Sequence, residues 1–186
     1  LWVVIGLALL VFVVYPLITI SSKKGLSYIG FFKAMGPAQL LAFSTSSSAA
    51  TLPITMDCVN DNLGVDKKIS SFVLPIGATV NMDGTSLYIS IAVVFLAQFH
   101  LIDLNAMQQL TIVLTATLAS IGAAAVPSAG LIMMIMVLQS VGLNPAWIAI
   151  IFPVDRILDM CRTVVNVTGD ATVSTFIAST DKNVNE

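Results

Sequence analysis

Asp83, Asp155, Asp159, Arg162 and Asp170 are ionisable, yet each stands in a stretch too apolar to offer it water. Burying any one of them alone costs on the order of a few kcal/mol or more, so each needs a partner, an ion or a ligand. Asp159 and Arg162 lie three residues apart. A carboxylate accepts hydrogen bonds from an ammonium group, and a guanidinium fork can grip a carboxylate with two parallel bonds. Together they suit a ligand that carries both an α-amino group and an acidic side chain. The α-carboxylate of such a ligand needs donors of its own. Asn166 and the hydroxyl and main-chain N–H groups of Ser47 and Ser48 can supply them, most effectively if a half-helix N-terminus points at the anion. Asp83 and Asp170 have no basic residue close in sequence and sit beside Asn, Gly and Thr, surroundings that suit a small hard cation held by carboxylate and carbonyl oxygens. Internal pairing competes with these readings: Asp155 with Arg156 or Arg162, and Asp159 with Arg162. So does protonation of Asp83 and Asp170, and the serine run alone reads equally as a polar loop.

A helix must present these groups together. At 100° per residue, Asp155, Asp159, Arg162, Asn166 and Asp170 fall within an arc of about 80°, one narrow polar stripe on an otherwise apolar helix. It follows a run free of charge from Leu104 to Val154. Over the 186 residues, 57% are hydrophobic and 10% charged, with mean hydropathy +0.96. A soluble domain carries roughly 25% charged residues, so the chain reads as an all-α integral membrane protein in a lipid bilayer, with no feature that suits nucleic acid. Residues 1–20 are uncharged and about as long as a spanning helix. They lack the basic start and cleavage site of a signal peptide, and an N-terminal half is expected upstream of Leu1. Cys58 and Cys161 lack CxxC spacing and read as free thiols.

Two later segments carry defects. Residues 44–53 place six hydroxyls in eight positions before Pro53, poor material for continuous helix. Residues 120–130 run Ser120-Ile121-Gly122-Ala123-Ala124-Ala125-Val126-Pro127-Ser128-Ala129-Gly130. Backbone freed by such breaks must be buried in protein or line a wet cavity. If both segments crossed the membrane fully, Lys33 and Lys67 would lie on opposite faces. If both are re-entrant hairpins, Lys23, Lys24, Lys33, Lys67, Lys68 and Lys182 share one face, as the positive-inside tendency requires. The expected order is a transmembrane helix (1–24), a first re-entrant hairpin (25–66), a transmembrane helix unwound at Asn81-Met82-Asp83-Gly84-Thr85 (67–103), a second hairpin (104–142), and a final helix with a short polar tail (143–186), its C-terminus cytoplasmic. The two hairpin–helix units would be inverted copies, and paired Gly/Pro-broken segments of this kind point to a transporter's midplane site.

On these residues the chain resembles the C-terminal half of the glutamate/aspartate:sodium symporters, the dicarboxylate/amino acid:cation family that includes the excitatory and neutral amino acid transporters. The likeness rests on four motifs in the family's order: Thr45-Ser46-Ser47-Ser48-Ala49-Ala50-Thr51-Leu52-Pro53, Asn81-Met82-Asp83-Gly84-Thr85, Ser120-Ile121-Gly122-Ala123-Ala124 through Pro127, and Asp159-Met160-Cys161-Arg162-Thr163 through Asp170. It covers essentially the whole chain and is specific only jointly. The resemblance implies that Asp159 binds the substrate amino group, Arg162 its side-chain carboxylate, and Asn166 and Ser48 its α-carboxylate, with Ser47, Thr85 and Thr163 close by. It further implies one sodium ion at Asp170 with main-chain oxygens of Gly77, Asn81 and Asn166. A second would use main-chain oxygens of Thr79, Ser120, Ile121 and Ala123, and a third Asp83 and Asn81 with upstream residues. The second hairpin would gate the site, and the unit would slide as the transport domain of an elevator-type transporter against a trimeric scaffold in the plasma (cell inner) membrane.

Departures from the family pattern matter too. The family often has an extra arginine at the position of Ser46 or Met160, and Arg156, one turn before Met160, is a candidate for its role. Ile89 follows Tyr88 where proton- and potassium-coupled relatives carry glutamate, and Ala125 stands where glycine is common. The leading expectation is therefore sodium-coupled symport of L-aspartate or L-glutamate, and no enzyme. A neutral amino acid carrier would usually lack Arg162, and a C4-dicarboxylate carrier would not need Asp159. An intramembrane aspartyl protease using Asp83 would lack its Gly-x-Gly-Asp pattern, and an ion channel would line its pore with repeated polar rings.

Overall fold

A computed structural model describes residues 1–21 and 27–180, and among these there is helix and connecting loop but no strand. Lys23, Lys24, Lys182 and the polar tail lie outside the described residues. The first helix begins as α1 (Trp2–Leu9), widens into a π-helical turn (Leu10–Val14) and continues as α2 (Tyr15–Ser21). α3 (Tyr28–Ala34) leads into a pair of helices, α4 (Gly36–Thr45) and α5 (Ser48–Asp57), packed against each other. Their link is shorter than the expected break. Ser46 adopts the left-handed conformation (φ 53°), and Ser47 caps α5 by accepting from the Ala50 N–H at 3.2 Å. The hydroxyl-rich residues therefore resume helix at once, and Thr51 satisfies its hydroxyl on the Ser47 carbonyl. Pro53 sits inside α5 instead of ending it.

The chain returns to where this pair began, because the Asn62 amide donates to the Ala34 carbonyl at 2.9 Å. The end of α3, with Lys33, thus lies at the same end of the molecule as the start of α6 (Lys67–Val80). Only Asn81 and Met82 separate α6 from α7 (Asp83–Phe99). The expected unwinding over 81–85 is confined to those two residues, since Asp83, Gly84 and Thr85 are helical, and the missing side chains of Gly77 and Gly84 serve close packing. A Cβ on Gly84 would lie 2.8 Å from the Arg162 carbonyl oxygen, and one on Gly77 would lie 2.6 Å from Asp170 Oδ1.

α8 (Ala106–Ile121) starts with a capping box between Asn105 and Gln108, and it packs on α9 (Ala129–Ser140) across an irregular tip. The turn at Gly142 (φ 76°) follows, then a 3-10 segment (Pro145–Ile150) and the long α10 (Phe152–Thr180). His100, just past α7, stacks on Trp147 with ring centroids 3.6 Å apart, which brings those two segments together. α10 belongs to both apolar cores. Val165 joins the cluster of α1, α7, α8 and α9, while Val167 and Ala171 join that of α3, α4 and α6.

Polarity is inverted relative to a water-soluble domain. Arg162 is the largest fully buried side chain, while Trp2, Phe12, Leu40 and Phe72 are 70–72% exposed. An apolar exterior around a polar interior suits a hydrocarbon solvent. Trp2–Thr19 and Lys67–Phe99 are long and apolar enough to cross a membrane. α10, at 29 residues and about 44 Å, is long enough, but its inward polar residues lower its hydropathy. Its hydroxyls are spent locally: Thr163, Thr168, Thr172 and Thr175 each donate to the carbonyl four residues back.

Gly84 offers a test of this packing. Gly84→Ala should destabilise the protein by about 1–3 kcal/mol, because its Cβ meets rigid backbone of α10. Gly30→Ala, where a Cβ meets nothing within 4 Å, should cause no loss. Thermal unfolding of the two variants in one detergent compares them.

Candidate functional site

The stripe on α10 folds inward as expected. Asp155, Asp159, Arg162, Asn166 and Asp170 are all buried, with Arg162 only 1% exposed. The competing internal pairing is also present. Arg162 Nε donates to Asp159 Oδ1 at 2.9 Å, and Nη1 donates to Asp155 Oδ1 at 3.2 Å. Nη2 lies 2.8 Å from Asp159 Oδ1 but is not aligned to donate to it, so this nitrogen is left without a hydrogen bond. The guanidinium is held flat. Tyr88 lies beneath it, ring centroid 4.1 Å from Cζ, and a Cβ on Gly130 would be 3.1 Å from Cζ on another side. The Tyr88 hydroxyl donates to Asp155 Oδ1 at 2.7 Å, so that one carboxylate oxygen ties ring and guanidinium together. Arg156 points outward and is exposed. Of the two candidate partners for Asp155 the structure takes Arg162, since a neighbour one position along the helix faces another way.

Between the two helix-pair tips is a small cavity of about 20 Å³ lined by Ser46, Ser48, Thr85, Asp159, Arg162 and Asn166, together with Met82, Thr163 and residues of the α8–α9 tip and the start of α9. That is room for about one water molecule. Ser48 opens α5, so the N-terminal end of that helix faces the cavity. The buried Ser46 hydroxyl there has no hydrogen-bond partner. Ser47 departs from expectation: it does not line the cavity, and its hydroxyl donates to the Ala125 carbonyl at 2.6 Å, joining the two tips. A second bond closes the same seam, from the Ser128 N–H to Asp159 Oδ2 at 2.7 Å. Ser128 is left-handed (φ 62°), whereas Ala125, at the position where glycine is common, has no positive φ and needs none.

Asn166 anchors the α6–α7 break. Its Oδ1 accepts the Gly84 N–H at 2.7 Å, and its Nδ2 donates to Thr85 Oγ1 at 3.1 Å. Asn81 Nδ2 donates to Asp170 Oδ1 at 2.9 Å, and Gly77 adjoins the same oxygen, so Gly77, Asn81 and Asp170 come together as expected. They line a separate groove of about 270 Å³ between α6 and α10. Asp83 is half-buried and accepts from the Tyr15 hydroxyl at 3.0 Å. α6 and α8 also contact each other, and Thr79 stands in the last turn of one, with Ser120 and Ile121 in the last turn of the other and Ala123 just past it. Thr79 and Ile121 are exposed, Ser120 and Ala123 buried. Helix C-termini carry free carbonyls and a negative dipole end, which favour a cation.

Sequence reasoning missed Tyr15, Tyr88 and the Ser128 N–H. The two tyrosines had one legible signal, since a buried phenol in an apolar helix must find a hydrogen-bond partner. The Ser128 contact had none, because a main-chain donor carries no side-chain signature.

A family model described as the sodium:dicarboxylate symporter family matches residues 1–180. The chain is similar to an excitatory amino acid transporter of Caenorhabditis elegans, 49% identical over 166 residues, covering 89% of this chain and 33% of that protein. It is also similar to excitatory amino acid transporter 1 of Rattus norvegicus (49% over 171 residues, 91% and 31%). Excitatory amino acid transporter 2 of Mus musculus is 47% identical over 171 residues (91% and 29%). The chain thus spans about a third of the length of these relatives.

The cluster around Arg162 should respond to loss of a single hydroxyl. Tyr88→Phe keeps the ring but removes a donor to a buried carboxylate, and should cost about 1.5–3 kcal/mol in thermal or denaturant unfolding, with Tyr88→Leu costing more through loss of the ring face.

Proposed function

The chain belongs to the sodium:dicarboxylate symporter family, and from that premise we propose that it forms the substrate- and ion-binding part of a sodium-coupled transporter of acidic amino acids, L-aspartate or L-glutamate. One observation carries the reading: among the described residues the interior holds three buried carboxylates, Asp155, Asp159 and Asp170, and a half-buried fourth, Asp83, against one buried guanidinium, Arg162, which pairs with Asp155 and Asp159 alone. Buried charge of one sign calls for bound cations or protons. Sodium ions and a substrate ammonium group are cations of the required kind, and a transported ion has to be able to leave where a structural one does not.

An acidic amino acid fits by insertion into an existing ion pair. Asp159 and Arg162 face each other across 2.8–2.9 Å. A ligand with an ammonium group and a side-chain carboxylate gives Asp159 the first and Arg162 the second, so both charges stay paired while the contact opens. The α-carboxylate goes to the N-terminus of α5 at Ser48 and to Asn166, with Thr85 and Thr163 beside it. Sodium is held at Asp170 with Gly77, Asn81 and Asn166, at the ends of α6 and α8 (Thr79, Ser120, Ile121, Ala123), and at Asp83 with Asn81. A ligand lacking the acid would leave Arg162 with nothing to receive from it, and one lacking the amine would set its own charge against Asp159. These are the physical grounds for preferring acidic amino acids to neutral ones or dicarboxylates.

The closed cavity requires a gate. Opening it means separating Ser128 from Asp159 and Ala125 from Ser47, so the tip of the second helix pair is the natural moving part. In the membrane both pairs are re-entrant, the first spanning 25–66 and the second 104–142. The intervening helix (67–103) crosses between them, flanked by the helices of 1–24 and 143–186. Lysine placement puts the C-terminus in the cytoplasm of a cell whose plasma membrane holds the protein. The whole unit moves as an elevator against a trimeric scaffold supplied by the longer protein. Ions that order the break and the tip raise substrate affinity, and by linkage the substrate raises theirs.

Uptake of labelled L-aspartate by the full-length protein in proteoliposomes tests the reading: transport should require an inward sodium gradient, and sodium-independent or absent uptake refutes it. Arg162→Cys should abolish uptake of L-aspartate and admit neutral amino acids, and unchanged aspartate affinity in this variant refutes the role given to Arg162.

A further inference from the structure

Tyr15 is 2% exposed and reaches across the interior from α2. Its hydroxyl lies 3.0 Å from Asp83 Oδ2 and 3.2 Å from the Val165 carbonyl, and can donate to either. The helix that carries it is built to aim it. In the π-helical turn Leu10–Val14 the Tyr15 N–H donates to the carbonyl of Leu10, five residues back, in place of the usual four. One extra residue turns every later side chain by about 100° relative to a regular α-helix. The turn is held by Tyr28, whose hydroxyl donates to the Val11 carbonyl inside it. On the far side, Gly169 leaves the approach open. A Cβ there would lie 2.8 Å from the Tyr15 hydroxyl and 3.0 Å from Asn81 Nδ2. The phenol and the Asn81 amide thus converge over one bare stretch of α10, the phenol holding Asp83 and the amide holding Asp170.

From this geometry we propose that Tyr15 is a positioning residue for a cation held at Asp83: it fixes the carboxylate through Oδ2 and leaves Oδ1 directed to the ion. The inference rests on the sodium-coupled reading above and adds to it a residue from the first helix. A carboxylate on the first residue of α7, beside a two-residue break, has free torsions unless something restrains it, and ligands so restrained bind metal more tightly. Among the described residues no hydrogen bond reaches Asp83 Oδ1, so the restraint does not consume the oxygen the cation needs. The π-helical turn has the same explanation: a regular helix would carry Tyr15 off the line to Asp83.

The test measures L-aspartate binding to the full-length protein by calorimetry over a range of sodium concentrations, for the unsubstituted protein, Tyr15→Phe, Asp83→Asn and the double variant. Tyr15→Phe keeps the ring packing and should need about tenfold more sodium for half-maximal binding, with substrate affinity restored at saturating sodium. In the Asp83→Asn background the same substitution should add no further shift. An unchanged sodium dependence in Tyr15→Phe overturns the proposal, as does an affinity loss that persists at saturating sodium or a full additional shift in the double variant. Absence of sodium-dependent binding in the unsubstituted protein overturns the transport reading itself, a result distinguishable from the others.

Discussion

Among the described residues four carboxylates share the interior with one guanidinium, and much of the fold answers that imbalance. Arg162 can satisfy only part of the negative charge around it. It does so for Asp155 and Asp159 while pressed on the Tyr88 ring and the Gly130 backbone. Asp83 and Asp170 have no such partner and are held by a phenol and an amide, neutral donors that orient a carboxylate without cancelling it. A protein of this kind stores a demand for cations in its core. The proposed sodium-coupled transport would turn that demand to use, because ions that relieve the charge would also order the elements around the substrate.

The main-chain geometry serves the same end. Regular helices in hydrocarbon offer no free donors or acceptors along their length, so sites must be made where helices stop. The interior of this chain is where they stop: the N-termini of α5 and α7, the C-termini of α6 and α8, and the irregular tip before α9. Helix starts carry N–H groups for a carboxylate, and helix ends carry carbonyls for a cation. The bonds Ser47–Ala125 and Ser128–Asp159 close the tips over a cavity that holds about one water molecule. On the proposed reading, substrate entry needs a movement of the tips.

Particular residues mark how far a reading of the sequence alone could go. The α10 stripe was legible because a 3.6-residue period sorts positions on one helix without reference to any other. The two broken segments were legible because clustered hydroxyls, glycine and proline disfavour helix locally. Their extent was not. Ser47 supplies a cap that shrinks the first break to Ser46 and Ser47, and Asn166 grips Gly84 beside the two-residue break between α6 and α7, whereas the second segment stays irregular over residues 122–128. Gly84 stands in the stretch read as unwound, whereas the structure uses it, like Gly77, as a point of close approach, a distinction that depends on what packs opposite. Ser47 was read as a cavity donor and instead joins the tips. Arg156 was one of two candidate partners for Asp155 and lies outside.

By itself the sequence determined solvent, class and inventory: composition demands a membrane, periodicity sets one polar face on the last helix, and the motifs identify the family to which the chain belongs. Those properties are local or summed along the chain, so no contact has to be known. The tertiary structure alone decided the pairing. It chose Arg162 as the partner of both Asp155 and Asp159, brought Tyr15 to Asp83 across 68 positions of sequence, and joined Ser47 to Ala125 across 78. Each of those choices turns on the direction and distance of particular groups, within α10 for Arg162 and its two aspartates and between different elements for the other two contacts. Packing, one π-helical turn and a few bare glycines set those quantities.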